Sequence, residues 1–157
     1  MISLLLVSFL ILIYIIYWLN KSINIPESIS STYYLLDNMG WVFQIILFLV
    51  AFLLMPIWLL LSNPSNQFLV FITCSGILFI ASAPNFKIKF EEKIHYIAAC
   101  TCGAASILWQ IMESMYDNIL ISIFICFVLY LKYKSWFFWT EISIILSLLI
   151  SLWDKIL

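Results

Sequence analysis

The sequence contains no arginine, one histidine and few charged residues of any kind. Charged residues make up 10% of the 157 residues, and the formal net charge is −1. Because a nucleic-acid-binding face needs clustered basic side chains, this composition excludes nucleic acid as a partner. Ordinary globular domains are about half apolar and about a quarter charged, whereas this chain is 66% hydrophobic. A water-soluble fold with so few polar side chains could not cover this amount of apolar surface. We therefore expect the chain to lie in a lipid bilayer.

Several motifs of catalytic and cofactor sites are also missing. There is no H-E-x-x-H pair, and His95 alone cannot supply the histidine ligands that zinc hydrolases commonly use. A Walker motif and a G-x-S-x-G motif are absent as well. The cysteines lie in apolar segments without C-x-x-C spacing, which predicts helix packing and not redox or zinc chemistry. They are Cys74, Cys100, Cys102 and Cys126. We therefore predict no metal and no cofactor.

Long apolar segments separated by short polar ones make up most of the chain. An apolar run of about 20 residues is long enough to cross the hydrocarbon core as a helix. The chain is therefore predicted to be an all-α polytopic membrane protein, a single domain over residues 1–157 with six transmembrane helices. The predicted spans are residues 2–19, 39–61, 67–83, 93–112, 118–133 and 136–153. No basic residue precedes the first span and no cleavage site follows it, so we interpret it as a helix of the mature protein.

The connection between the first and second spans has a helical pattern of its own. Pro26 and Glu27 are residues that a first helical turn favours, and apolar residues recur at helical spacing as far as Leu36. We predict a short interfacial helix here, with its tyrosines at headgroup depth. The alternative is that its serines point into the bundle and line a site. Shorter connections are predicted as turns at residues 62–66 and 116–118.

Lysines are distributed unevenly over the connections. Most fall in the first, third and fifth connections, namely Lys21, Lys87, Lys89, Lys93, Lys132 and Lys134. Only Lys155 lies on the opposite side. By the positive-inside rule these three connections are expected to be cytoplasmic and both termini to lie outside. Abundant Ile, Asn, Lys and Ser favour an AT-rich bacterial or phage genome, so the expected location is the cell inner membrane.

Polar residues that could carry chemistry gather at the cytoplasmic half in this topology. They are Glu27, Ser28, Ser30, Ser31, Asn85, His95 and Glu141. Glu141 lies roughly 10 Å into the last span, where a carboxyl group should face the bundle interior and have a partner. The candidate partners are His95, Lys93 and Lys132. A structural tie and a functional pair are both open, and one of the serines could form a Ser–His–acid triad with His95 and Glu141.

A stripe of small and polar residues follows one face of the fourth span. Its members are three or four residues apart: His95, Ala99, Cys102, Ser106, Gln110 and Glu113. Residues at this spacing share a helical face, so we expect the stripe to be buried between helices and to serve mainly in packing. At its outer end, Glu113 and Asp117 are expected to form a solvated helix end.

Two short segments resemble a bacterial six-helix membrane family of unknown function, distantly related to the alkaline-ceramidase-like (CREST) hydrolases. They are Pro26-Glu27-Ser28-Ile29-Ser30 and the loop from Pro84-Asn85 to His95-Tyr96-Ile97-Ala98-Ala99. The resemblance covers about residues 26–106. It implies a helical membrane architecture and a polar site near Ser28 and His95. The hydrolases of that superfamily hold zinc with several histidines and an acid, and at least two of those histidines have no counterpart here.

These observations favour a non-enzymatic membrane component. We expect a homo-oligomeric pore or defence-type effector, or a protein that binds a lipid or a protein partner. A CREST-like hydrolase acting on a lipid is the first alternative, and a small proton-coupled transporter is the second. The catalytic residues of an enzyme would come from Ser28, Ser30, His95 and Glu141.

Overall fold

The computed structural model describes residues 2–21, 26–84 and 89–157, and every regular element among them is helical. The α-helices are α1 (Ile2–Lys21), α2 (Thr32–Leu35), α3 (Gly40–Leu61), α4 (Gln67–Ser82), α5 (Lys89–Met112), α6 (Tyr116–Tyr133) and α7 (Trp136–Asp154). Two short 3₁₀ turns, Asp37–Met39 and Pro64–Asn66, precede α3 and α4. The prediction of an all-α fold is confirmed.

Five helices, α3 to α7, are long and apolar enough to cross a membrane. Helix α1 is apolar as well over Ile2–Tyr17. Large apolar side chains are exposed on the outer faces of the bundle, among them Leu60 (80% exposed), Phe124 (68%) and Phe52 (64%). A soluble monomer rarely exposes so much contiguous apolar surface. These features agree with the prediction of a membrane protein.

Helices α3, α4 and α5 form the centre of the bundle, each packing along its neighbour in the chain. Helix α1 packs on α3, and α7 packs on both α5 and α6. In the main core cluster the rings of Trp58 and Trp109 meet edge to face, with centroids 5.2 Å apart. The Trp109 Nε1–H donates to Ser62 Oγ at 2.8 Å, which satisfies the polar edge of that buried ring. Helix α6 joins this bundle mainly through α7.

Polar contacts concentrate at the two ends of the bundle. At one end, which we call the His95 end, the segment before α2, the residues after α4 and the start of α7 meet. There Ser135 Oγ donates to the Pro26 carbonyl at 2.6 Å, and the Phe138 N–H donates to the Glu27 carbonyl at 3.0 Å. At the other end, which we call the Glu113 end, the α3–α4 turn meets the ends of α5 and α7.

The predicted interfacial helix is shorter than expected. Only Thr32–Leu35 is α-helical, and residues 28–31 form a turn in which side chains bond the backbone. Serine side chains compete with the helical hydrogen-bond ladder in this way, which explains the late start. The Tyr33 ring packs on Phe43, with ring centroids 6.2 Å apart.

The reversal after α5 also lies earlier than the predicted turn at 116–118. Helix α5 begins at Lys89, four residues before its predicted start, and ends at Met112. Ser114 then adopts a left-handed conformation (φ 62°), and the Met115 N–H donates to the Gln110 carbonyl at 2.8 Å. Residues 116–118 instead form the first turn of α6, where the carboxylate of Asp117 is favourable to the helix dipole.

The expectation that Glu113 belongs to a solvated helix end is wrong. Its side chain is 1% exposed and accepts hydrogen bonds from Lys155 Nζ (2.6 Å), Asn63 Nδ2 (2.7 Å) and Asn66 Nδ2 (2.8 Å). Burial alone would raise the pKa of this carboxyl group. The hydrogen bonds from Lys155, Asn66 and Asn63 outweigh burial and hold the pKa below its ordinary value of 4.5. Glu113 therefore ties the α3–α4 turn to the ends of α5 and α7.

Helices α4 and α5 approach closely at Gly76, and we expect Gly76→Ala to destabilise the protein. A Cβ at this position would lie 2.8 Å from Cys102 Cβ and 3.1 Å from the Ala98 carbonyl oxygen. Separating the helices should cost about 1–3 kcal/mol, which exceeds the gain of at most about 1 kcal/mol from helix propensity. The measurement is thermal unfolding of the purified protein in detergent.

Gly103→Ala is the matched control, because the same change on α5 would place a Cβ 3.5 Å from its nearest neighbour, Ile144. We expect this variant to unfold at or above the wild-type temperature. Equal unfolding temperatures for the two variants would contradict close packing at Gly76.

Candidate functional site

The segment Ser28–Ser31, which we call the serine turn, is closed by two of its own side chains. The Ser31 N–H donates to Ser28 Oγ at 3.0 Å, and the Ser28 N–H donates to Ser31 Oγ at 3.2 Å. This reciprocal arrangement is that of a capping box, which satisfies backbone donors at the start of a helix. The Ser31 hydroxyl also donates to the Ser28 carbonyl at 2.7 Å. Ser28 and Ser31 therefore serve the backbone, and Ser30 is the serine whose side chain is directed elsewhere.

Helix α7 positions the serine turn from one side. Glu141 is half-buried, and its Oε2 accepts a hydrogen bond from the Ile29 N–H at 2.5 Å. The carboxyl group thus satisfies a backbone donor that no helical partner reaches, since this segment precedes α2. Tyr14 of α1 contacts the next residue after the turn, through a hydrogen bond between its hydroxyl and Thr32 Oγ1. Contacts from α1 and α7 therefore flank the segment that carries Ser30.

Helix α5 contributes His95, which is 3% exposed. Its Nε2 lies 2.9 Å from Ser30 Oγ, and its Nδ1 lies 3.0 Å from the Ala83 carbonyl oxygen. A carbonyl oxygen only accepts hydrogen bonds, so Nδ1 must carry a proton. In a neutral ring Nε2 is then the acceptor, and the Ser30 hydroxyl donates to it. The Ala83 carbonyl therefore selects the tautomer in which His95 can take a proton from Ser30.

A cavity of about 190 Å³ extends from this cluster into the bundle. Helices α1, α3, α4, α5 and α7 surround it, and its wall consists mostly of Ile, Leu, Val and Phe side chains. Ser30 and Glu141 line the cavity together with Ile29. Farther along, Thr73 and Ser106 line it, but their hydroxyls donate to carbonyls of their own helices. The cavity is thus apolar along most of its length, and Ser30 and Glu141 mark its polar end.

The structure brings several of the predicted site residues together and separates others. Ser30, His95 and Glu141 converge on the serine turn, although no hydrogen bond joins His95 to Glu141 in the described part of the chain. Glu27 is exposed and contributes only its carbonyl oxygen. Asn85 lies outside the described residues. Lys132 lies over the ring of Tyr133, with Nζ 4.9 Å from the ring centroid, and makes no ion pair with Glu141 among the described contacts.

The stripe on α5 divides between the two ends of the bundle. Ala99, Cys102 and Ser106 line the cavity. Gln110 is fully buried and accepts a hydrogen bond from Ser151 Oγ at 3.1 Å, while Glu113 lies in the polar cluster already described. All of these residues face other helices of the same chain.

Two parts of the site were missed by sequence reasoning. Tyr14 is a polar residue in the middle of an uncharged span, and that position away from both interfaces was a usable signal. The Ala83 carbonyl gives no signal, because every residue has one and only the fold shows which carbonyl meets a histidine.

No group of three or more His, Cys, Asp or Glu side chains in the described ranges could hold a metal ion.

The resemblance to CREST-related proteins stays a prediction. The sequence matches no protein-family model, and comparisons with curated proteins and with solved structures found no match.

Proposed function

We propose that the chain is a six-span protein of a bacterial or phage-encoded inner-membrane system. Helix α1 supplies the sixth span, because its 20 residues reach about 30 Å at 1.5 Å per residue, the thickness of a hydrocarbon core. The lysines of the first, third and fifth connections support an orientation with the His95 end at the cytoplasmic face and both termini outside.

Its proposed role is to bind one amphipathic molecule, with an apolar chain in the cavity and a polar group beside Ser30 and Glu141. The observation that carries this proposal is the cavity itself, which is apolar along most of its length and polar at the end formed by Ser30 and Glu141. A volume of about 190 Å³ is in the range of cavities that hold a benzene-sized group, about 150 Å³. It therefore suits a segment of one chain and not a whole lipid with two chains.

The polar end must supply most of the selectivity of this site. Lipid tails are as apolar as leucine, so transfer of a chain from the bilayer to the cavity gains little hydrophobic free energy. Filling the cavity still recovers packing energy of about 4–5 kcal/mol at the usual cost per unit volume. Discrimination between amphiphiles then depends on hydrogen bonds to Ser30 and Glu141, which are strong where water is scarce.

Lipid binding is favoured over the oligomeric pore for a geometric reason. A pore needs polar side chains that face a shared channel, and the polar stripe of α5 was the feature that suggested one. In the structure that stripe packs against other helices of the same chain, and three of its residues, Ala99, Cys102 and Ser106, line the cavity.

Ala99→Phe is expected to block binding, because it places a large side chain inside the cavity. The probe is a photoactivatable palmitate, with a diazirine in its chain, incorporated into the membranes that contain the protein. In the wild type we expect cross-links in peptides of α3, α5 and α7. In the variant they should fall about fivefold or more, since overpacking by about 1–3 kcal/mol corresponds to a factor of about 5 to 150.

Ala104→Phe is the matched control, since Ala104 lies on the same helix but is exposed. This variant should cross-link like the wild type at the cavity peptides. Equal cross-linking in both variants, or adducts confined to outward-facing residues, would contradict a bound chain in the cavity.

A further inference from the structure

Ser30 and His95 have the arrangement of a nucleophile and its general base. Their side chains are within hydrogen-bond distance at 2.9 Å, and the Ala83 carbonyl 3.0 Å from Nδ1 fixes the ring in the required tautomer. In serine hydrolases a third group orients the base in the same way, usually a carboxylate. Here a backbone carbonyl has that position, and the nearby acid, Glu141, bonds the backbone of the serine turn instead.

The position of Ser30 at the polar end of the cavity indicates which bond it could reach. An acyl chain lying along the apolar wall would bring its carbonyl carbon to the end where Ser30 lies. In the described part of the chain no acceptor bonds the backbone N–H of Ser30. A backbone N–H beside the nucleophile is the kind of donor that stabilises the oxyanion of an acyl transfer.

We propose that Ser30 is an acyl-accepting nucleophile that cleaves carboxylic esters with a single apolar acyl chain, with His95 as its general base. This inference rests on the proposed function, because the chain must first occupy the cavity. Ser30 Oγ bonds the ester carbonyl carbon while His95 Nε2 takes the hydroxyl proton. The single bond between the acyl carbon and the alcohol oxygen then breaks, and the alcohol leaves with the proton that His95 had taken.

Water completes the reaction from the headgroup side. His95 removes a proton from the water molecule, whose oxygen bonds the acyl carbon of the Ser30 ester. The carbon–Oγ bond breaks, Ser30 regains its proton from His95, and a fatty acid is released. The balance is one ester and one water giving one acid and one alcohol, with no oxidant or reductant.

The two neighbouring serines are natural comparisons for this role. Ser28 and Ser31 belong to the same turn as Ser30. Their hydroxyl groups, however, form hydrogen bonds with each other's backbone. Among the described residues no base contacts either hydroxyl, so neither serine has the activation that His95 gives Ser30. The inference is therefore specific to one serine out of three in the same turn.

The test uses an alkyl fluorophosphonate, in which a serine alkoxide displaces fluoride from phosphorus and stays covalently attached. Membranes containing the full chain are treated with a long-chain probe, and the modified peptide is identified by mass spectrometry. We expect labelling at Ser30 in the wild type and none in Ser30→Ala. The labelling rate should fall about a hundredfold or more in His95→Gln, which is the usual contribution of a general base. The exposed control Ser82→Ala should label like the wild type.

Photoactivatable palmitate, applied to the same preparations, separates this inference from the proposed function. If Ser30→Ala and the wild type unfold at the same temperature in detergent, both are folded and the labelling result can be compared directly. Absence of labelling at Ser30 in wild-type protein that cross-links palmitate would overturn the nucleophile and leave lipid binding standing. Labelling that persists in His95→Gln at the wild-type rate would overturn the role of His95.

Discussion

Glu113→Ala is expected to destabilise the protein by about 3–5 kcal/mol, the usual cost of removing one partner of a buried ion pair. Lys155 would keep its charge in a site where its side chain is only 18% exposed. The amides of Asn63 and Asn66 would lose their acceptor as well. The loss should appear as a lower unfolding temperature in detergent.

The same group predicts a dependence of stability on pH. Because hydrogen bonding holds the pKa of Glu113 below its ordinary value of 4.5, the folded state binds this proton more weakly than the unfolded state. The stabilisation is therefore fully present above pH 4.5 and is lost as the pH falls through the lowered folded-state value. Wild-type protein should lose stability in that acidic range more steeply than Glu113→Gln, which cannot titrate.

Asp117→Ala is the control for Glu113→Ala, since Asp117 is an exposed acid four residues away at the same end. Its loss should cost no more than the helix-dipole contribution of about 0.3–1 kcal/mol. A comparable loss of stability in the two variants, or identical acid profiles for the wild type and Glu113→Gln, would show that the Glu113 cluster does not tie the helices.

The long helices were predictable because a long apolar segment has few alternative structures. A segment in hydrocarbon must satisfy its backbone hydrogen bonds internally, so long uncharged runs such as residues 39–61 become helices whatever surrounds them. Local patterns were less informative in the connections. Pro26 and Glu27 favour a helix start, but the serines that follow them form hydrogen bonds with the backbone. Because of these serine side chains the helix begins only at Thr32.

The sequence predicted the polar residues of the site and several alternative pairings among them, but it did not select between those pairings. Glu113 meets Lys155, and His95 meets Ser30, because of which helices lie side by side. Apolar side chains occur on both the outward and the inward faces of such a helix. Their pattern does not determine which other helix packs against it, because lipid tails are as apolar as the side chains of another helix. The cavity was unpredictable for the same reason, because five helices must be in place before a gap between them exists.

Glu141→Leu is expected to lower both palmitate cross-linking and Ser30 labelling by about fivefold or more. The Ile29 N–H would lose its acceptor, at a cost of about 1–3 kcal/mol for an unsatisfied buried donor. Every 1.4 kcal/mol corresponds to a factor of ten in an equilibrium. The serine turn would relieve that cost by moving away from α7, and the Ser30 hydroxyl would move with it away from His95.

Two further variants separate the position of the serine turn from the charge of the carboxyl group. Glu141→Gln keeps an oxygen that can accept from the Ile29 N–H, so labelling and cross-linking should stay near the wild-type level. Thr140→Leu makes an apolar change at the preceding, exposed residue of α7 and should leave both signals unchanged. A loss in Glu141→Gln as large as that in Glu141→Leu would contradict a positioning role. It would assign the effect to the charge of the carboxyl group, because both variants remove the charge and only one removes the acceptor.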